Sequence, residues 1–280
     1  MNSNLFLRVI SAIVLAPLVL CAIWYGKAIY EDYSIPVYKI LLAVLGAGLA
    51  WEWENMFRKK ISAVGLVISL TATLSVFLIE DNPSFALWLI LLGTTVVYWL
   101  SKYNLSMTFG TLYISLPLAA LGYIYYVNES ISREIVLWLF FVVWATDTGG
   151  YIVGSSLKGP KILPKISPKK TWSGCIGGVV FAMAVAYVFS LYLKAHNLIT
   201  PADALYDLLT PVLVASAAVL SVFSIAGDFF ESYVKRRLDI KDSSNLIPGH
   251  GGLFDRVDGL LFAAVVAAIA IFLANTGGVF

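Results

Sequence analysis

Nine apolar segments of about 20 residues follow one another along the chain, separated by short polar stretches. A transmembrane helix needs about 20 apolar residues to cross the roughly 30 Å hydrocarbon core of a bilayer. The pattern therefore predicts an all-α, polytopic membrane protein with about nine transmembrane helices. The predicted spans are residues 5–25, 36–57, 61–79, 84–101, 107–127, 132–154, 172–194, 206–227 and 258–275.

The composition agrees with this pattern. The chain is 60% hydrophobic and only 13% charged, and its mean hydropathy is +0.85, far above the range of soluble domains, so the bilayer is the main solvent. We expect one integral membrane domain over residues 1–280. Residues 1–127 are expected to be mainly scaffold helices, and residues 132–280 to supply the catalytic helices and loops.

The most polar stretch of the chain runs from Ser232 to Asp258 and reads SYVKRRLDIKDSSNLIPGHGGLFDRVD. It contains five basic residues, four aspartates and a Pro-Gly-His-Gly-Gly turn. Basic side chains can bind phosphates, carboxylates can bind a divalent cation, and glycines let backbone approach a ligand closely. The composition therefore predicts a site for a phosphorylated substrate and a divalent cation.

The spacing of these residues resembles the motif of the phosphatidate cytidylyltransferase (CDP-diacylglycerol synthase) family. The matching positions are Ser232-x-Val234-Lys235-Arg236, Lys241-Asp242 and Pro248-x-His250-Gly251-Gly252-x-x-Asp255-Arg256-Val257-Asp258. The resemblance implies a nucleotidyltransferase of phospholipid biosynthesis that makes CDP-diacylglycerol and pyrophosphate from CTP and phosphatidic acid. It implies CTP, phosphatidic acid and the bilayer as partners, no nucleic acid, and a homo-oligomer, expected to be a dimer.

The distribution of charge predicts an orientation in the membrane. If the N-terminus is placed in the cytoplasm, 15 of the 19 Lys and Arg residues fall on the cytoplasmic side. Cytoplasmic loops of membrane proteins carry an excess of these residues. We therefore expect a bacterial-type inner (cell) membrane protein whose N-terminus and active-site loops are cytoplasmic and whose C-terminus is outside.

Asp147 lies about two-thirds of the way through the sixth predicted span. A carboxylate at that depth costs about 2.5–3.5 kcal/mol on insertion scales, so it should face a wet cavity or a partner. A polar contact between helices would also explain it, but the pattern Trp144-x-x-Asp147-Thr148-x-x-Tyr151 is similar to that of the family and favours a functional role. Three glycines that follow predict close approach of a neighbouring backbone: Gly149, Gly150 and Gly154.

The loop after this span reads LKGPKILPKISPKKTWSG, with five lysines and no acidic residue. Ser167 suits a helix N-cap and Pro168 the first helical position, so we expect the seventh helix to begin there. Lys169 and Lys170 would then occupy the first turn, where the helix dipole disfavours cations. A bound phosphate would resolve that conflict. A positive-inside loop, or attraction to anionic headgroups, would also explain the charge.

The end of this loop, residues 166–172, resembles a second family segment. Relatives commonly have Glu after the tryptophan of that segment, whereas this chain has Ser173. No carboxylate is therefore assigned to that position.

Three of the five aspartates in the 31-residue stretch 228–258 lie at the ends of the last two predicted spans. Asp228 shares a helix face with Ser224 and Ser232, which predicts that the eighth helix continues into the cytoplasm. Asp255 and Asp258 are one turn apart near the start of the ninth helix. We expect Asp228 and Asp255, and next to them Asp258, to bind Mg²⁺; a second cation at the same site is the alternative arrangement. Snorkelling of Asp228 and simple charge complementarity at a helix N-terminus are the alternatives.

These patterns give a full set of candidate site residues. Catalytic roles are expected for the four aspartates Asp147, Asp228, Asp255 and Asp258. Substrate binding is expected from Ser167, Lys169, Lys170, Thr171, Ser232, Lys235, Arg236, Lys241, Asp242, His250, Gly251, Gly252 and Arg256. A CTP-dependent lipid kinase, or a transporter or flippase for an anionic solute or lipid, is the alternative function.

One polar feature remains open, the run Trp51-Glu52-Trp53-Glu54 near the end of the second predicted span. It is interpreted first as an interfacial belt, with Trp at headgroup depth, Glu52 snorkelling and Glu54 paired with Arg58 one turn later. The alternative is a role for Glu52 that faces the active-site cavity, since it lies almost two turns inside the basic residues that follow.

Overall fold

The computed structural model describes residues 3–25, 28–30, 33–127, 131–201, 206–247, 249 and 251–276. This part of the chain forms nine α-helices and one small hairpin. The elements are α1 (Ser3–Trp24), β1 (Ala28–Tyr30), β2 (Tyr33–Ile35), α2 (Val37–Arg58), α3 (Ala63–Leu78), α4 (Pro83–Leu100), α5 (Leu105–Tyr126), α6 (Ser132–Leu157), α7 (Trp172–Ala195), α8 (Tyr206–Arg237) and α9 (Phe254–Thr276). Each predicted span overlaps one helix.

Helices α4 to α9 are six segments long and apolar enough to cross a membrane. The all-α membrane class is therefore confirmed, whereas the count of nine spans stays a prediction. Helix α3 has 16 residues, fewer than the roughly 20 that a span needs. Helix α2 has 22 residues but carries four charged side chains: Lys39, Glu52, Glu54 and Arg58.

The hairpin between α1 and α2 was not among the predicted elements. Strands β1 and β2 pair antiparallel, with Ala28 opposite Ile35. Strands of three residues are too short for an alternating pattern to identify.

The chain falls into two compact units. Unit 1 consists of Met1–Arg133 and Lys235–Val257, so it contains α1 to α5 and the loop between α8 and α9. Trp53 is among its largest buried side chains: it is 2% exposed and donates its indole N–H to the Ser106 carbonyl at 3.0 Å. A Cβ at Gly110 would lie 2.0 Å from the indole nitrogen, so α5 has glycine where this ring packs.

Unit 2 consists of Glu134–Val234 and Asp258–Phe280. In it α6 and α7 approach backbone to backbone, as the glycines in α6 predict. A Cβ at Gly178 would lie 2.7 Å from the Thr146 carbonyl, and one at Gly174 would lie 2.8 Å from the Gly150 carbonyl. Side chains larger than hydrogen would separate these helices.

Helix α7 begins at Trp172, not at Ser167 as predicted. The N-cap is Thr171, whose hydroxyl accepts the Gly174 N–H at 3.1 Å. Ser167 lies in a turn instead, where its carbonyl accepts the Lys170 N–H at 3.4 Å. Lys170 therefore precedes the helix, and the argument that a cation in the first turn requires a bound anion no longer applies.

Candidate active site

Three carboxylates come together in unit 2, one each from α6, α8 and α9. We call Asp147, Asp228 and Asp258 the carboxylate cluster. Asp258 interacts electrostatically with both of the others, and its own Oδ1 accepts the Gly259 N–H at 2.8 Å. Like charges held together in this way are stabilised either by a nearby cation or by a proton on one of the carboxylates.

Helices α8 and α9 bring Asp228 and Asp258 close because glycines lie where the helices touch. A Cβ at Gly227 would lie 2.5 Å from the Asp258 carbonyl oxygen, and a Cβ at Gly259 would lie 2.4 Å from the Ser224 hydroxyl. Each glycine is the neighbour in sequence of one of the two aspartates. The close packing of the backbones thus places both carboxylates at the same level of the helix pair.

Lys170 supplies a positive charge to this cluster. Its ammonium forms an ion pair with the Asp228 carboxylate and lies 4.6 Å from the centre of the Phe229 ring. It also interacts with Asp258. A single lysine cannot neutralise three ionised carboxylates. The cluster could therefore bind a divalent cation as well as the lysine.

The loop between α8 and α9, residues 238–253, is called the signature loop below. It belongs to unit 1 and folds around Asp255. The Asp255 Oδ1 pairs with the Lys235 ammonium at 2.5 Å. Its Oδ2 accepts the Ser243 N–H at 3.0 Å, the Ser243 hydroxyl at 3.1 Å and the Gly252 N–H at 2.8 Å. Both carboxylate oxygens of Asp255 are thus engaged by the protein itself.

The comparison with known proteins decides the family. The model of the cytidylyltransferase family matches residues 6–274, nearly the whole chain. The chain belongs to the cytidylyltransferase family.

Relatives within this family carry a more specific name. A phosphatidate cytidylyltransferase of Rickettsia conorii is 30% identical over 95% of this chain and 90% of its own length. Proteins of the same name from Brucella suis and Brucella melitensis are 32% and 33% identical, each over 94% of this chain and 92% of their own length. The likeness therefore covers both units.

Most of the basic residues predicted to bind substrate are on the surface of this cytidylyltransferase-family chain. The exposed ones are Lys169, Arg236, Lys241 and Arg256, together with the acidic Asp242. Ser167 and Ser232 are half-buried. Arg236 donates to the Ile240 carbonyl at 3.1 Å, at the point where α8 passes into the signature loop.

The glycine-rich turn of the signature loop is described only in part, since Pro248 and His250 lie outside the described residues. Gly251 has a φ of +88° and pairs with Ile247 through two backbone hydrogen bonds of 2.8 and 3.2 Å. Glycine adopts such a positive φ without strain. This explains the glycine at position 251, and substrate binding by His250, Gly251 and Gly252 stays a prediction.

Ser173, the residue after Trp172 to which no carboxylate role was assigned, has a local role. Its hydroxyl donates to the Lys158 carbonyl and shares a 3.0 Å hydrogen bond with the Thr171 hydroxyl. The Ser173 hydroxyl thus connects the loop before α7 to the helix N-cap. An ionised carboxylate at this position has no proton to donate to the Lys158 carbonyl.

Glu52 is a polar residue whose role the sequence left open. It is 0% exposed, so the interpretation of a snorkelling side chain is wrong. Its carboxylate accepts four hydrogen bonds from the signature loop and the start of α9, described below. The signal in the sequence is an acidic residue almost two turns inside the basic residues that follow α2. The predicted ion pair between Glu54 and Arg58 is confirmed, with 3.6 Å between the Arg58 nitrogen and the Glu54 oxygen.

The donor set of the carboxylate cluster fits Mg²⁺. Among the described residues, no group of three or more His, Cys, Asp or Glu side chains is arranged so that it could hold a metal ion by itself. Mg²⁺, however, is usually bound by one or two carboxylates together with water and substrate phosphates. Asp228 and Asp258 provide that share, with Asp147 beside them.

Proposed function

We propose that this chain is a CTP:phosphatidate cytidylyltransferase, which converts CTP and phosphatidic acid into CDP-diacylglycerol and pyrophosphate. The observation that carries the proposal is the carboxylate cluster with its paired Lys170, in a chain that matches phosphatidate cytidylyltransferases over 94–95% of its length. The cluster is formed by apolar helices that are long enough to cross a membrane. A lipid substrate can therefore reach it from the bilayer.

The reaction forms one P–O bond and breaks another. An oxygen of the phosphatidic acid phosphate attacks the α-phosphorus of CTP, and the bond from that phosphorus to the bridging oxygen of the β-phosphate breaks, so that pyrophosphate leaves. The attacking phosphomonoester is already largely anionic at pH 7, since its second pKa is about 6. No protein nucleophile is needed, and catalysis rests on positioning and charge neutralisation.

The basic residues of this chain neutralise the two anionic substrates. Lys170 is held at the carboxylate cluster by Asp228, where it can contact a phosphate that binds there. Arg236, Lys241 and Arg256 are exposed at or beside the signature loop. Lys235 differs, because its ammonium is committed to Asp255, and we assign it to holding the loop.

Asp228 and Asp258 would hold Mg²⁺, with Asp147 as the third carboxylate. When bound, the cation would offset charge on the triphosphate and on the leaving pyrophosphate. Asp255 was predicted as a main ligand and stays a candidate. Its oxygens are engaged by Lys235 and the signature loop, which favours a role in loop structure.

The arrangement in the membrane is part of the proposal. In this arrangement nine helices cross the bilayer, the 16-residue α3 among them, the N-terminus and the signature loop face the cytoplasm, and the C-terminus is outside. The 15 of 19 basic residues on the cytoplasmic side support this orientation. The homodimer is expected from the resemblance alone.

Purified protein in vesicles that contain phosphatidic acid tests the function. We expect pyrophosphate release that requires both CTP and phosphatidic acid, with a lipid product whose mass is that of CDP-diacylglycerol. Asp228→Asn protein in the same vesicles is the control for contaminating enzymes. Release of CDP instead of pyrophosphate would identify a lipid kinase, and the absence of any turnover would contradict the proposal.

A further inference from the structure

The buried carboxylate of Glu52 joins α2 to residues about 190 to 200 positions further along the chain. Its Oε1 accepts the Ser244 hydroxyl at 2.5 Å and the Leu253 N–H at 2.7 Å. Its Oε2 accepts the Ser243 hydroxyl at 3.1 Å and the Phe254 N–H at 2.9 Å. All five residues belong to unit 1, and each oxygen receives one hydroxyl and one backbone N–H.

Two of these donors are backbone N–H groups at the start of α9, those of Leu253 and Phe254. The first N–H groups of a helix have no partner within the helix and need one from elsewhere. A side chain of the loop itself usually supplies it, whereas here the acceptor comes from α2. The negative charge of Glu52 also lies at the positive end of the α9 dipole, which stabilises both.

The face of α2 that carries Glu52 is shaped to receive the loop. Gly48 lies one turn before Glu52 on the same face, and a Cβ at Gly48 would lie 2.3 Å from the Leu253 side chain. A Cβ at Gly252 would lie 2.6 Å from the Glu52 Oε1. Loop and helix are thus in contact at two successive turns, with glycine where each backbone comes closest.

Phe254, the first residue of α9, is fixed in the same place by aromatic packing. It is 1% exposed and stacks on Tyr113 with ring centres 5.7 Å apart and planes 7° apart. Its ring centre also lies 5.6 Å from that of Trp53. Since Trp53 follows Glu52 directly, neighbouring residues of α2 hold the side chain and the backbone N–H of Phe254.

We propose that Glu52 is a positioning residue for the nucleotidyl transfer reaction: it fixes the start of α9 and the signature loop, and so the placement of Asp255. The proposal rests on the proposed function for its link to turnover. Asp255 accepts from Ser243 and Gly252, so the loop that Glu52 holds is the loop that surrounds Asp255.

The carboxylate is required because its two oxygens act only as acceptors. Glutamine has the same shape, but its amide replaces one acceptor by an NH₂ donor. A serine hydroxyl can rotate to accept from that NH₂, whereas the N–H of Leu253 or of Phe254 cannot. Glu52→Gln therefore leaves one backbone N–H at the start of α9 without an acceptor, and the first turn of the helix has to move.

Glu54→Gln is a matched control. Glu54 lies two residues away on α2, is 2% exposed and accepts the Ser62 N–H at 2.9 Å. It therefore anchors the N-cap of α3 and not the signature loop. The two variants make the same change of charge and shape at the same level of burial.

The experiment measures turnover, thermal stability and hydrogen exchange of both variants in detergent. We expect Glu52→Gln to lose about a hundredfold in kcat with a small change in KM, as for a misplaced reacting group. Amides 243–254 should exchange faster in Glu52→Gln and at the wild-type rate in Glu54→Gln. Glu54→Gln should keep nearly wild-type kcat although its Tm also falls. Equal losses of kcat, or unchanged exchange at the loop, would overturn the proposal.

A second variant covers the case in which Glu52→Gln does not fold. Ser244→Ala removes one of the four donors and keeps the carboxylate, so it should lower kcat by about tenfold or more, the scale of one hydrogen bond to a charged group. Wild-type kcat in Ser244→Ala together with unchanged exchange would then contradict the proposal. If the wild type itself releases no pyrophosphate, the proposed function fails, and exchange at the loop still decides whether Glu52 holds it.

Discussion

Lys170 and Asp228 form an ion pair that ties the loop before α7 to α8. Both side chains are about a quarter exposed, 24% and 29%, so the pair is open to exchange with a ligand. In the absence of substrate the lysine offsets part of the negative charge of the carboxylate cluster. When a phosphate binds, the Lys170 ammonium can turn from Asp228 to the phosphate, so this lysine would contact the substrate directly.

Lys170→Ala tests this link. The variant should lower kcat/KM about tenfold or more, since a hydrogen bond to a charged group contributes about 1.5–3 kcal/mol. Lys165→Ala is the control, because Lys165 is exposed in the same loop and its loss changes the net charge equally. Steady-state kinetics with CTP and phosphatidic acid measure both. Equal kcat/KM for the two variants would contradict a substrate contact, and Lys170 would then contribute only to the positive charge of a cytoplasmic loop.

The contact between α6 and α7 depends on Gly178. Gly178→Ala should destabilise the protein by about 1–3 kcal/mol, the usual cost of an overpacked contact, because its Cβ would lie 2.7 Å from the Thr146 carbonyl. Gly150→Ala is the matched control, since its Cβ would meet only the Gly174 carbonyl, at 3.5 Å. Thermal unfolding in detergent compares the two. An equal or lower Tm for Gly150→Ala would contradict this account of the helix contact.

Cysteine labelling tests the orientation. In a chain whose Cys21 and Cys175 are replaced by Ser, a cysteine at Lys60 or Lys161 should resist an impermeant maleimide in intact cells. A cysteine at Asp81 should react. All three positions are exposed, so permeabilised cells should label each of them. Labelling at Lys161 from outside would reverse the proposed topology.

How far the sequence predicts this fold depends on whether a feature is local. Long apolar runs identify the helices because a membrane span has a fixed length. The polar face formed by Ser224, Asp228 and Ser232 predicts that α8 continues beyond its apolar part, and α8 does extend to Arg237. The glycines of α6 likewise predict a close helix contact.

Features that depend on distant residues were missed or misplaced. Ser167 and Thr171 are both good N-cap residues, and the proline after Ser167 favoured the wrong one. What selects Thr171 is the fold, in which Gly154 of α6 lies against it: a Cβ on that glycine would be 3.1 Å from the Thr171 hydroxyl. Glu52 could not be placed either, because its partners, among them Ser244 and Leu253, lie about 190 to 200 residues away.

Removal of the metal tests the carboxylate cluster. EDTA should abolish turnover and excess Mg²⁺ should restore it. Asp228→Asn and Asp258→Asn should each lose at least about a hundredfold in kcat, the scale of losing one strong electrostatic stabiliser, and each should need more Mg²⁺ for half-maximal rate. An unchanged Mg²⁺ requirement in both variants would contradict the assignment.

Asp255→Asn separates the two roles considered for Asp255. If its carboxylate holds the signature loop, as its contacts with Lys235 and Gly252 indicate, the variant should lose kcat and keep the wild-type Mg²⁺ requirement. Faster hydrogen exchange in the loop should accompany the loss. A raised Mg²⁺ requirement with unchanged exchange would instead support the original prediction of a metal ligand.

The fate of the CTP phosphates tests the proposed reaction most directly. Purified protein in phosphatidic acid vesicles is supplied either with CTP labelled at the α-phosphate or with CTP labelled at the γ-phosphate. The account predicts that the α-label appears in the lipid and the γ-label in water-soluble pyrophosphate. Transfer of the γ-label to the lipid, or no transfer of the α-label, would contradict it.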